Sequence, residues 1–122
     1  MENVWPVASE DGEMNAAILQ AQASLGEFLS AFQDPTATQK SFLLKIRFEH
    51  DSAVEHIWLA DLDLSQLPSS GTVAVETDFP GLAFMQRTTF EPKQISDWMF
   101  YDGDTIVGGF TTRILQQRTR PQ

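Results

Sequence analysis

The chain contains no cysteine, which removes disulfides and thiolate chemistry together. No apolar run approaches the ~20 residues that a membrane span needs, so the sequence reads as a soluble protein. The first residues, MENVWPVASEDGEMNAA, hold no basic segment followed by an apolar one, which argues against a secretion signal and for a cytoplasmic location. GxGxxG, GxxxxGK[ST] and GxSxG are all missing, and with them the common phosphate loops and the hydrolase nucleophile turn. No internal repeat or low-complexity segment occurs. Positive charge is scarce: 8 Lys and Arg face 17 Asp and Glu, for a net charge of −9, and the first Lys or Arg is Lys40. A field of that sign repels nucleic acid and anionic membranes, leaving recognition of a basic protein partner or ordinary solubility as uses for the charge.

What is present fits one globular domain. A chain of 122 residues buries roughly two-thirds of its unfolded surface around a single core, and 42% hydrophobic content supplies that core. The expected organisation is an irregular lead-in over residues 1–10, in which Trp5 docks on the domain, then one α+β domain over 11–118 and a tail over 119–122. The domain should be a small, mostly antiparallel sheet of about five to six strands packed against a long N-terminal helix, with a short C-terminal helix.

The helix starts at Asp11, a capping residue, with Glu13 near the positive end of its dipole. Met14, Ala17, Ile18, Ala21, Leu25, Phe28, Leu29 and Phe32 recur at helical spacing and define a core face, and Asp34-Pro35 ends the helix. Ser41 to His50 alternates cleanly, with Phe42, Leu44, Ile46 and Phe48 on one side and Lys45, Arg47 and Glu49 on the other. A turn at His50 to Ala53 leads to a second strand, Val54 to Ala60, apolar on both faces as a strand near the sheet centre would be. Asp61 to Gly71 reads as a loop, Thr72 to Thr77 and Met85 to Phe90 as strands about a turn at Asp78 to Gly81, and Thr111 to Arg118 as a closing helix with Ile114 and Leu115 inward.

Between the last two elements, Ser96 to Val107 reads as a β-hairpin. A three-residue loop, Asp102-Gly103-Asp104 with Gly103 left-handed, pairs Phe100 with Ile106 and Trp98 with Gly108. Trp98, Phe100, Ile106 and Phe110 then share one face, and Asp97, Met99, Tyr101, Thr105 and Val107 the other. Gly108 leaves room for the Trp98 indole over bare backbone, so the Gly108-Gly109 pair reads as a packing or bulge site.

Three blocks, EHIWL (Glu55 to Leu59), ISDWM (Ile95 to Met99) and VGGFTTR (Val107 to Arg113), resemble in order and spacing the YegJ-like bacterial domain of unknown function (DUF 2314). The resemblance covers roughly Phe42 to Leu115 and implies a compact bacterial α+β domain, found alone or beside repeat modules. It carries no activity, cofactor or catalytic residue to transfer. Thr72 to Phe90 departs from the family pattern.

Chemistry-bearing residues are few. Glu55, His56 and Asp97 could bind a divalent metal or do acid/base work if they converged, yet adjacent Glu55 and His56 on a strand point to opposite faces. The plainer reading makes His56 a half-buried histidine bonded inside the sheet and Asp97 a carboxylate that caps a turn or holds Arg113. Ser96 beside His56 and Asp97 is discounted as a triad for the same reason of divergence. No metal, cofactor or catalytic residue is therefore expected. The leading expectation is a non-catalytic interaction or regulatory module that meets another protein through Met99 and Tyr101, with Glu55 and Asp97 at the rim and His56, Trp58, Trp98 and Arg113 nearby. A small metal-dependent or acid/base hydrolase using Glu55, His56 and Asp97 is the alternative.

Overall fold

The computed structural model describes residues 11–119, so the lead-in and the docking of Trp5 lie outside the described residues. Helices α1 (Gly12–Ala23) and α2 (Leu25–Gln33) precede strands β1 (Gln39–His50), β2 (Ala53–Asp63), β3 (Ser69–Val73) and β4 (Arg87–Phe90). A single 3-10 turn, Pro92–Gln94, leads into β5 (Ile95–Asp102), β6 (Thr105–Gly108) and helix α3 (Phe110–Thr119). The six strands form one antiparallel sheet in the order β4-β3-β2-β1-β5-β6. The fold is α+β, and the two strands with the clearest hydrophobic patterns lie at its centre.

Alternation along β1 does decide the faces. Leu44 stands opposite Leu59 and Trp98, Leu59 opposite Val73, and Ile46 opposite Ile57, so these side chains share the inner face. All are buried, and the helices cover them. Six rings run through this layer: Phe28 packs on Phe32, Phe42 and Trp98, while Trp98 meets Phe100 and Phe110, with ring centres 5.6 to 6.0 Å apart. Offset and edge arrangements at such spacings stabilise beyond the area they bury.

Asp11 caps α1 as expected, accepting from the Met14 amide at 3.2 Å. The long helix is, however, two helices. Ser24 departs from helical geometry, its hydroxyl donates back to the carbonyl oxygens of Gln20 (2.8 Å) and Ala21 (3.3 Å), and it receives the Trp98 Nε1 proton at 3.2 Å. That indole also donates to the Ala21 carbonyl at 3.1 Å, so the break sits where the sheet's largest side chain engages the end of α1.

Three further expectations need correction. The hairpin loop is the two residues Gly103-Asp104, and Phe100 pairs with Val107, Tyr101 with Ile106 and Met99 with Gly108. Gly103 at φ +63° suits the first central position of a type II′ turn, which matches strand twist without a bulge. Val107 therefore faces the core and Ile106 solvent. Next, β3 runs from Ser69 to Val73, not from Thr72 to Thr77, and β4 begins at Arg87 rather than Met85. Finally, Ile114 is half-buried while Leu115 is largely exposed.

Candidate functional site

The outer face of the sheet carries Leu43, Lys45 and Arg47 on β1, His56 and Trp58 on β2, and Asp97, Met99 and Tyr101 on β5. Lys45 is opposite both Trp58 and Asp97, and Arg47 is opposite His56. An outward polar row would normally be solvated. Here α3 covers part of it, and Lys45, Asp97 and Thr111 are all buried.

Asp97 is the hub. One carboxylate oxygen, Oδ1, accepts from the Trp98 amide (2.8 Å) and the Phe110 amide (3.1 Å). The other, Oδ2, accepts from the Thr111 amide (2.9 Å) and the Thr111 hydroxyl (2.6 Å). A strand residue thereby caps the first turn of α3, where unpaired amides and the helix dipole both favour a negative charge. Lys45 Nζ donates to Thr111 Oγ1 at 2.8 Å and lies 5.2 Å from the centre of the Trp58 ring. Burial holds the Lys45 ammonium below its ordinary pKa, and the Asp97 charge offsets this only in part.

A shift of pairing register between Lys45 and Ile46 lets Ser96 and Asp97 turn toward the same side of β5. Ser96 Oγ lies 2.9 Å from His56 Nδ1 and 3.3 Å from the Lys45 carbonyl oxygen, to which it donates. His56 is pushed down to about 4, first by burial and then by the Lys45 and Arg47 cations. Asp97, the carboxylate nearest in sequence to Ser96, spends both its oxygens on Trp98 and the first turn of α3, so it does not serve the Ser96–His56 contact as a triad acid.

The sequence-derived site residues scatter. Glu55 points to the inner side and accepts from Thr77 Oγ1 at 3.0 Å, while His56 points outward. Asp97 and Trp98 are 0% and 1% exposed, so neither can stand at the rim of a docking surface. Arg113 does not meet Asp97: its Nη2 donates to the Ile106 carbonyl at 3.4 Å and its guanidinium lies 5.8 Å from the Phe110 ring centre. His56, Trp58, Met99 and Tyr101 remain as half-buried residues of the outer face. Among the described residues, no three His, Asp or Glu side chains group closely enough to hold a metal ion.

Reading by strand pattern missed Lys45, Thr111 and a cleft of about 320 Å³ lined by Asp11, Met14, Ile18, Lys45, His56 and Leu115, with Thr111 and Arg118 completing it. Arg118 spans the helices, its Nη1 and Nη2 donating to Asp11 at 3.1 and 2.7 Å. The available signal was an opposite-charge pair: Lys45 on β1 and Asp97 on β5 stand opposite each other where those strands pair.

The structure defines an α+β domain in which α3, capped by a strand carboxylate, covers part of the outer face of a six-stranded sheet. The family model described as "Uncharacterized protein conserved in bacteria (DUF2314)" matches residues 11–122, and the chain belongs to this family. It is similar to the uncharacterized protein YegJ of Escherichia coli (strain K12), 28% identical over 102 residues that make up 80% of this chain and 63% of that relative. The chain thus spans less than two-thirds of the curated relative it matches. No solved structure matches. No helix among the described residues is long and apolar enough to cross a membrane.

His56 gives a pH prediction whose sign follows from its depressed value. Unfolded, the ring takes a proton near its ordinary 6.5, whereas folded it resists until about 4. Between those values the unfolded chain binds more protons, so stability is complete above the upper value and declines as pH falls toward the lower one. After allowance for solvent screening the loss is on the order of 2 kcal/mol. Urea unfolding of wild type and His56→Gln at pH 7.5 and 4.5 should show the smaller decline in the variant; equal declines would remove His56 as the cause.

Proposed function

We propose that this domain is a non-catalytic protein-interaction module that works in the cytoplasm and uses the half of the outer sheet face that α3 does not cover. The observation that carries this reading is the cluster of Leu43, Trp58, Met99 and Tyr101, half-buried side chains on three adjacent strands. Leu43 stands opposite Met99, Lys45 beside it stands opposite Trp58, and Tyr101 extends the row toward Ile106, which is exposed. Trp, Tyr and Met are the residue types that supply most energy where proteins meet, because each removes a large apolar area from water at modest entropic cost. Asp102 and Asp104 lie at the hairpin tip next to Tyr101, and with the net charge of −9 they favour a partner with a basic segment. The separation of Glu55 from His56 and the full use of Asp97 as a cap favour this reading over a hydrolase.

The test is affinity capture from the native cell with wild type, Met99→Glu/Tyr101→Glu and Leu19→Glu, the last on the solvent side of α1. Partners held by wild type and Leu19→Glu should be lost by the double variant, at least roughly tenfold, without a change in unfolding behaviour. A folded double variant that keeps every partner would end the proposal.

A further inference from the structure

The geometry points to a second site, a small-ligand cleft between α1, α3 and the outer sheet face that takes a monocarboxylate with a hydrocarbon or aromatic body. The cleft, about 320 Å³, is at the small end of ligand-binding cavities. Met14 and Ile18 from α1 and Leu115 from α3 form its apolar walls, and Lys45 stands at its polar end.

Three observations select an anion with an apolar body. Lys45 is 7% exposed, yet the one hydrogen bond its ammonium makes to a described side chain is to Thr111 Oγ1, which must spend its own proton on Asp97. An ammonium has three protons to give, so a carboxylate oxygen reaching Nζ gains a charge-assisted bond where water is scarce. In addition, cations stand at the polar end of the cleft in a protein of net charge −9: Lys45 lines it, and Lys45 and Arg47 both act on His56 beside it. Asp97 supplies the counter-charge of Lys45 but spends its hydrogen bonds on α3 and Trp98, and the Asp11 carboxylate at the cleft is paired with Arg118, so neither takes the spare Lys45 protons. Thirdly, the walls offer no polar side chain from Met14, Ile18 or Leu115, so a small inorganic anion would leave them uncovered while a hydrocarbon or aromatic body fills them. The Arg118 to Asp11 pair joins α3 to the start of α1 at the same cleft and fixes the spacing of its walls.

The experiment uses octanoate and 3-phenylpropanoate as probes, with octan-1-ol as the uncharged control. Binding is followed through methyl NMR signals of Met14 and Ile18 and the Nζ signal of Lys45. Saturable shifts of all three are expected with the acids, and binding of the alcohol should be weaker by roughly tenfold or more, the worth of one charged hydrogen bond. Lys45→Met should abolish the preference for acid over alcohol. Because Lys45 is buried and that variant could lose its fold, Leu115→Asp provides an independent check: this largely exposed wall residue would place a negative charge at the cleft and weaken acid binding roughly tenfold, with Leu19→Asp unchanged. Absence of saturable shifts, equal binding of acid and alcohol, or full binding by Leu115→Asp would each overturn the assignment. The site and the protein-binding face are separable, since Met99→Glu/Tyr101→Glu should leave octanoate binding intact.

Discussion

Gly108→Ala should unfold at markedly lower denaturant than wild type, with a loss of about 2–5 kcal/mol. Two costs add at this position. Gly108 sits at φ +86°, where a side chain strains the backbone, and a Cβ built there would collide with the Trp98 carbonyl oxygen and lie 2.6 Å from Cε3 of the indole. The ring has nowhere to retreat. Its Nε1 is held by Ala21 and Ser24, and its faces and edges meet Phe28, Phe100 and Phe110. Gly103 provides the comparison, because it too has a positive φ but open space around its missing Cβ. Gly103→Ala should therefore cost only about 1 kcal/mol, the backbone part alone. Urea titration of both variants decides it: equal losses would mean that strain, and not the indole, sets the requirement for glycine. Pairing Gly108→Ala with Trp98→Leu should recover part of the deficit, since the smaller side chain vacates the space the methyl needs.

The same indole shows what was legible in the sequence. The contact between Trp98 and Gly108 was anticipated, although the pairing assumed for it was one residue off. Two registers of a short hairpin give almost the same polar and apolar pattern, and only the turn geometry at Gly103 separates them. The central strands were readable because one side of β1 is apolar at every second residue. The start of β3 was not, for a reason built into the strand itself: Gly71 lies so close to its neighbour that a Cβ would be 3.0 Å from both Leu59 Cβ and Leu62 Cδ2, so the strand is made of Ser, Ser and Gly and reads as loop. The break at Ser24 escaped notice because apolar spacing continues through it from Ala21 to Leu25 and Phe28. The cleft escaped for a third reason. Alternation assigns Lys45 and Asp97 to a polar face, and nothing in a single strand reveals that a later helix will cover that face.

That covering helix makes Asp97 the most sensitive polar residue in the domain. Asp97→Ala should cost about 3–5 kcal/mol, because it leaves a buried cation without its counter-charge and the first turn of α3 without a cap. The isosteric Asp97→Asn should be nearly as damaging. All four groups around the carboxylate are donors: the amides of Trp98 and Phe110 on one oxygen, the amide and hydroxyl of Thr111 on the other. An asparagine amide must aim its NH2 at one of those pairs, setting donor against donor whichever way it flips. Lys45 would also lose the one influence that raises its pKa and would shed its proton more readily. Removing the cation as well should soften the defect, so Asp97→Asn/Lys45→Met is expected to be more stable than the sum of the single losses by about 1–2 kcal/mol. Guanidinium unfolding of the four proteins measures this coupling, and the circular dichroism of the native baselines reports whether α3 has frayed. Asp97→Asn within 0.5 kcal/mol of wild type, roughly the scale of a neutral surface substitution, would show that α3 is anchored by its apolar contacts alone. In that case the buried charge would have to be explained by the cleft it helps to form and not by the helix it caps.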